Sequence, residues 1–271
     1  MTAEQRALLA GAIDYAGLFP PAGLAMVAAA GNYRRYLAGD HRWALGRFVC
    51  PVGRLDELAA ARGSGGSVWP IAAVASGEPH EEAAAIARFN QDHFGRLRVE
   101  TIEAKTPDDH TVRSRIAASS GLECFCELNP ASPEFRSALA AVAASSARAK
   151  LRTGGTVAAA IPSTEHVVEF LLACHHAGVS FKATAGLHHP YRGCYPLTYE
   201  PDAPTALMHG FVNLTLASAA VAAGAPPAAI MALLDSPDPQ YPAPLAAVRR
   251  FFLSFGCCSF EEPLQWSLLP V

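Results

Sequence analysis

Short apolar runs alternate with longer alanine-rich helical stretches along most of the chain, at roughly thirty residues per unit. About eight of these runs have the length and composition of strands. They are 12–18, 46–51, 67–75, 97–105, 122–128, the segments 149–155 and 180–190, and 252–257. Helical patterns between them include 26–37, 54–62, 78–90 and 163–177. This order predicts an α/β fold, a (β/α)8 TIM-like barrel.

The size of the chain agrees with one such barrel. Its 271 residues are 51% hydrophobic and 17% charged, so we expect a single domain over 1–271. The seventh and eighth strands lie about seventy residues apart, more than twice the usual unit, which predicts a helical insertion over 193–250. A doubly wound open sheet is the alternative, but no Gly-x-Gly-x-x-Gly follows the first strand.

Composition narrows the function classes. The formal net charge is −3 and no basic run occurs, so we expect no nucleic-acid partner. No apolar run approaches the roughly 20 residues that span a bilayer, and the first residues lack a signal-peptide layout. Seven cysteines, an odd number, indicate reduced thiols. We therefore expect a cytoplasmic protein without a membrane partner.

Two of the predicted strands carry clustered cations. Side chains alternate along a strand, so Lys150 and Arg152 share one face, as do Lys182 and Thr184. If these strands are parallel neighbours, three cations point into one region. Burying them without anions costs several kcal/mol per ion, so acidic partners or an anionic ligand must be present.

Acidic residues lie where such partners are needed, at the C-terminal ends of other predicted strands. They are Asp14, Glu103 and Glu127. In a barrel this end carries the chemistry. Two outcomes are open: the charges neutralise one another in a static network, or a lysine beside another cation has a depressed pKa and acts as a nucleophile toward carbonyls.

The last three predicted strands resemble those of deoxyribose-phosphate aldolase and its class I aldolase relatives. The similar segments are Leu-Arg-Thr-Gly-Gly at 151–155, Phe-Lys-Ala-Thr-Ala-Gly-Leu at 181–187 and Phe-Gly-Cys-Cys-Ser at 255–259. The resemblance implies a barrel and Schiff-base chemistry, with a Gly-x-Ser turn at Ser259 that helps to bind phosphate.

The resemblance also assigns roles to the cations. Arg152 stands where the family has its Schiff-base lysine, and arginine stays protonated, so it cannot serve as an amine nucleophile. Lys182 matches the family's second lysine. If Schiff-base chemistry persists, Lys182 or Lys150 carries it.

Histidines form a second group of candidates. His188 and His189 directly follow the seventh strand, and His209 and Asn213 share a helical face at i, i+4. Adjacent histidines in a strand point to opposite sides, so one of the first two faces a given centre. With a carboxylate, the histidines offer a two-histidine-one-carboxylate metal site, whereas the alternative role is to orient substrate.

These observations predict an enzyme that acts on a small anionic or carbonyl-containing metabolite by aldolase or lyase chemistry. Catalytic candidates are Lys182, Lys150, Glu127, Glu103 and Asp14, and substrate-binding candidates are Arg152, Thr184, His188, His189, His209, Asn213 and Ser259. No cofactor is assigned, although a metal is possible. The alternatives are a metal-dependent hydrolase or lyase and a non-catalytic ligand-binding barrel. Alanine-rich helices also allow a homo-oligomer.

Overall fold

Eight parallel strands close into a barrel in the computed structural model, which describes residues 3–119, 121–240 and 248–265. Helices separate successive strands, and the first strand closes the barrel by pairing with the last. The predicted (β/α)8 fold is therefore confirmed. No helix in the described part of the chain is both long and apolar enough to cross a membrane.

The strands and helices follow one another in a regular order. The barrel strands are β1 (Ile13–Tyr15), β2 (Leu45–Pro51), β3 (Trp69–Ala75), β4 (Leu97–Lys105), β5 (Glu123–Leu128), β6 (Arg148–Arg152), β7 (Phe181–Thr184) and, after a hairpin of β8 (Gly193–Pro196) and β9 (Thr205–Met208), β10 (Phe252–Cys257). The helices are α1 (Ala3–Leu9), α2 (Met26–Ala38), α3 (Leu55–Arg62), α4 (Pro79–Asp92), α5 (Asp109–Ala118), α6 (Phe135–Ala143), α7 (Thr164–His176), α8 (Phe211–Ala222), α9 (Pro227–Asp235) and α10 (Glu261–Leu264).

The insertion between the seventh and eighth barrel strands is confirmed, but it is not helical throughout. It opens with the antiparallel β8–β9 hairpin and continues with α8 and α9, which pack together. Residues 241–247 of the predicted insertion lie outside the described residues. The hairpin was missed because its strands are only four residues long and its tip is polar.

The apolar core lies between the strands and the surrounding helices. It includes closely packed aromatic rings, among them Tyr33 with Phe48 at 5.4 Å and with Trp69 at 4.9 Å between ring centroids. Alternate strand residues face the barrel interior, and there the side chains are largely charged. Near the N-terminal ends of the strands, Arg148 lies 2.8 Å from Glu123.

Two glycine-containing turns lie backbone to backbone after β6 and β7. A Cβ atom on Gly154 would lie 2.9 Å from the Cα atom of Gly186, which has φ +77°. Thr153 donates its backbone N–H to the carbonyl of Thr184 at 2.9 Å. Glycine at position 154 thus allows the ends of the two cationic strands to lie side by side.

This close approach gives a prediction with a matched control. We expect Gly154→Ala to lower the free energy of unfolding by about 1–3 kcal/mol, because the added methyl group forces two backbones apart. Gly31→Ala, within α2 and with open space around the new Cβ atom, should instead raise it by about 0.5–1 kcal/mol. Urea unfolding measures the change in the free energy of unfolding of each variant. Equal changes in Gly154→Ala and Gly31→Ala would contradict the packing argument.

Candidate active site

Lys182 lies at the centre of the barrel and is held by two carboxylates. Its Nζ atom lies 2.5 Å from Asp14 Oδ2 and 2.5 Å from Glu103 Oε1, and all three side chains are buried. Burial alone lowers the pKa of Lys182, but Asp14 and Glu103 outweigh it and raise the pKa above its usual value. Lys182 is therefore an ammonium ion in the resting protein.

Glu103 is shared between two lysines. Its second oxygen, Oε2, lies 2.8 Å from Lys150 Nζ, and Lys150 also lies 3.1 Å from Glu127 Oε2. Burial raises the pKa of Glu103, but the ammonium groups of Lys150 and Lys182 outweigh it and hold the pKa at about 2. One buried carboxylate thus joins the cations of β6 and β7.

Arg152 extends the same chain of charges toward solvent. Its Nε atom donates to Glu127 Oε1 at 2.9 Å, and its side chain is 41% exposed. Burial raises the pKa of Glu127, whereas Lys150 and Arg152 lower it, and the net shift is downward. The predicted acidic partners of the three cations are therefore present, and opposite charges alternate from Asp14 to Arg152.

The strand register explains why these groups meet. Lys150 of β6 pairs with Lys182 of β7, and Arg152 pairs with Thr184 one layer further toward the C-terminal ends. Asp14 is fixed on the far side by Ser254, whose hydroxyl donates to Oδ2 at 2.9 Å. The two lysines therefore share one level of the barrel interior, and Arg152 lies above them.

A cavity of about 850 Å³ opens above this network. It lies at the C-terminal ends of the strands, where barrel enzymes bind substrates. The charged and polar residues of the network that line it are Glu103, Glu127, Lys150, Arg152, Lys182 and Thr184. The ion pairs are saturated, yet they form the floor of an open space large enough for a metabolite.

Lysine usage is a signal that the motif-based reading missed. The 271 residues contain three lysines, Lys105, Lys150 and Lys182, and all three line this cavity. The chain has 21 lysine and arginine residues in total, and all except these three are arginines. Because arginine cannot act as an amine nucleophile, the small number of lysines was a signal in the composition, and the structure places all of them at one cavity.

His188 lies at the edge of the same cavity within a second polar cluster. Its Nδ1 atom lies 2.5 Å from Glu262 Oε2, and its Nε2 atom lies 3.7 Å from the Cys258 sulfur. Ser259, a predicted phosphate contact, accepts a hydrogen bond from the Glu262 backbone N–H at 3.3 Å and so begins α10. His189 turns away and stacks on Tyr195, with 3.5 Å between ring centroids.

His209 and Asn213 lie apart from the cavity, in the support of the insertion. His209 precedes α8 and lies 2.9 Å from the carbonyl oxygen of Pro162 through Nε2. Asn213 accepts from the Arg192 backbone N–H at 2.8 Å and donates to the carbonyls of Leu233 and Ser236, each at 2.7 Å. These contacts hold the segments around α8 together, and substrate binding by His209 and Asn213 remains a prediction.

The hypothetical metal site needs two histidines close together. His188 lines the cavity and His209 lies apart from it, so these two do not form such a pair. Within the described residues, the donor atoms of His188, Cys257 and Glu262 come within 4.8 Å of one another. His188 Nδ1 and Glu262 Oε2, however, are at hydrogen-bonding distance, 2.5 Å. Two ligands at about 2 Å from one tetrahedral metal ion lie roughly 3 Å apart, so this pair is arranged as a hydrogen bond.

No protein-family model matches the chain, and neither does any curated protein sequence. Of what the aldolase resemblance implies, the structure shows the barrel fold only. The geometry of the cavity is the basis for inferring the reaction.

The shared carboxylate predicts a specific acid response. The folded-state pKa of Glu103, about 2, lies below its ordinary value of 4.5, so its contribution is complete above about pH 5 and is lost as the pH falls through 2. This contribution is of order 3 kcal/mol. We expect Glu103→Gln to be less stable near neutral pH and to lose this part of the acid dependence.

Unfolding free energies across this pH range measure the effect. Glu81→Gln is the control, because Glu81 is an exposed residue of α4, and it should retain the acid dependence of the wild type. Identical slopes for Glu103→Gln and the wild type would show that folding does not lower the pKa of Glu103.

Asn213 supplies a separate test of the structural assignment. We expect Asn213→Ala to lower the free energy of unfolding by about 2–4 kcal/mol. The change leaves the Arg192 N–H and the carbonyls of Leu233 and Ser236 without their hydrogen-bond partner. Ser218→Ala in the same helix should have a much smaller effect, since the Ser218 hydroxyl donates only to the Leu214 carbonyl of its own helix. Thermal unfolding of both variants makes the comparison.

Proposed function

We propose that the protein is an enzyme that forms a Schiff base between Lys150 and a small anionic carbonyl metabolite, for lyase or aldolase chemistry. The observation that carries the proposal is the pair of lysines bridged by Glu103 on the floor of the open cavity. A purely structural ion network has no need of such an opening. The barrel fold, which commonly serves enzymes, and its C-terminal cavity support the proposal.

Lys150 is the better nucleophile of the two lysines. Lys182 is held at 2.5 Å by both of its carboxylates and has a raised pKa. Lys150 has longer contacts, 2.8 and 3.1 Å, and its partner Glu127 is also bound by Arg152. When Lys150 loses its proton, Glu103 keeps Lys182 as its cationic partner and Glu127 keeps Arg152. Deprotonation of Lys182 instead leaves Asp14 without its ammonium partner.

Lys182 then acts as the permanent cation. Lys182 contributes a fixed positive charge to the lining of the cavity. The same charge attracts the anionic group and the carbonyl oxygen of a substrate. Arg152, half-exposed at the mouth of the network, and Thr184 are placed to bind the anionic group.

The proton inventory of Schiff-base formation balances with the groups present. Two of the three Lys150 ammonium protons leave with the carbonyl oxygen as water, relayed by Glu127, and the third remains on the iminium nitrogen. Glu103 then faces the iminium as it faced the ammonium. Electrons of a bond at the neighbouring carbon flow into the iminium, and Glu127 takes or returns the proton that this step requires.

Borohydride trapping tests the proposal. We expect incubation with pyruvate, glyceraldehyde phosphate or dihydroxyacetone phosphate, followed by reduction, to give a stable adduct at Lys150. Because the chain has three lysines, peptide mass spectrometry assigns the site without ambiguity.

Lysine variants provide the matched controls. Lys150→Met should abolish the adduct, whereas Lys105→Met should retain it, since Lys105 lines the same cavity but lies at its exposed side. An adduct that maps to Lys105, or no lysine adduct with any of the three compounds, would remove Schiff-base chemistry at Lys150.

A further inference from the structure

A second reactive group lies at the edge of the same cavity, built from β10, the turn after β7 and α10. His188 lies between a thiol and a carboxylate: Cys258 Sγ is 3.7 Å from Nε2, and Glu262 Oε2 is 2.5 Å from Nδ1. Tyr199 donates to the other oxygen of Glu262 at 2.9 Å. Tyr199 Oη also lies 3.6 Å from Cys258 Sγ. A thiol, an imidazole and a carboxylate are thus in contact, the combination of a nucleophile, a base and a group that orients the base.

Two adjacent cysteines approach His188, but only one of them lines the cavity. Cys258 is among the lining residues together with His188, whereas Cys257 is 1% exposed and points into the interior. Cys257 Sγ lies 3.5 Å from His188 Nδ1, the nitrogen already bonded to Glu262. Burial raises the pKa of Cys257, which keeps that thiol protonated. Cys258 is therefore the thiol that a cavity ligand can reach.

We propose that Cys258 is a second covalent nucleophile of this cavity, with His188 as its base and Glu262 as the residue that orients His188. The class of ligand is a carbonyl electrophile such as an aldehyde. That ligand class rests on the proposed function, but the reactivity of the thiol does not.

The addition step needs no further reactant. His188 Nε2 takes the thiol proton, and the sulfur forms a bond to the carbonyl carbon. The π electrons of the carbonyl move to its oxygen, which receives the proton from His188 and completes a thiohemiacetal. No group leaves and no electrons are lost, so the step reverses by the same route.

The charged and titratable groups around His188 favour its protonated form during this step. They are Cys257 on β10, Cys258 directly after it, Glu262 on α10, Tyr199 in the β8–β9 connection, and the neighbouring His189. Burial alone lowers the pKa of His188, but the hydrogen bonds to both thiols and Glu262 outweigh it and raise the pKa. His189 is a half-buried second imidazole, and its pKa is lowered by burial and by His188.

Alkylation with iodoacetamide tests the proposal directly, because the sulfur–carbon bond that forms displaces iodide and marks the reactive thiol. We expect wild-type Cys258 to be labelled at about pH 6, because His188 takes the thiol proton. His188→Gln should slow the reaction at the lower pH about tenfold or more and restore it at the higher pH, where a thiolate forms without a base. Glu262→Gln should slow it at the lower pH to a smaller extent.

Internal controls keep the outcome decisive. Cys194 is exposed and lies on the hairpin, so its labelling rate should be equal in all variants if they are folded. Lys150→Met should leave Cys258 labelling unchanged. Borohydride gives no stable adduct with a thiohemiacetal. Failure of the Cys258 proposal can therefore be distinguished from failure of the Schiff-base proposal. Label on Cys257, no label on Cys258, or identical pH profiles in wild type and both variants would overturn the proposal.

Discussion

The carboxylate of Glu103 is the interaction on which the interior of this barrel depends. It lies between two buried ammonium groups, 2.5 Å from Lys182 and 2.8 Å from Lys150. Removal of one partner from a buried ion pair costs about 3–5 kcal/mol, so a barrel with two interior lysines requires such a bridge. Closure of the barrel supplies the second carboxylate partner of Lys182, because it brings Asp14 of β1 to this lysine of β7.

The ion network and the cavity together explain how a stable barrel can carry reactive groups. Lys182 is held between the carboxylates of Asp14 and Glu103, while Lys150 shares its partners with Lys182 and Arg152. Shared partners allow one ammonium group to change its protonation state without leaving an unpaired buried charge. The Cys258 thiol is buried but lines the same cavity beside His188, so the two proposed nucleophiles lie at one cavity.

Sequence periodicity was sufficient for the fold. The limits of β4 and β10 agree with the predicted runs, because β4 alternates apolar and polar residues and β10 is a short, mostly apolar run. The alternation rule also placed Lys150 and Arg152 on one face. It could not show which acid meets which lysine, since Asp14 and Lys182 are 168 positions apart and meet only through barrel closure. The pairing of Cys258 with His188 and Glu262 depends in the same way on the packing of α10. His209 and Asn213 were predicted as functional from their spacing. In the structure His209 contacts the Pro162 carbonyl and the Arg192 side chain, and Asn213 contacts backbone groups on either side of α8.

The protonation of Lys182 distinguishes the permanent cation from the nucleophile most directly. Three lysines give three side-chain signals in NMR spectra of protein labelled with ¹⁵N and ¹³C at lysine, and Lys105→Met and Lys150→Met assign them. As the pH is raised through 10.5, the ordinary pKa of lysine, Lys182 should remain an ammonium ion. Loss of its proton below that pH would contradict the account, because Lys182 would then be the available amine.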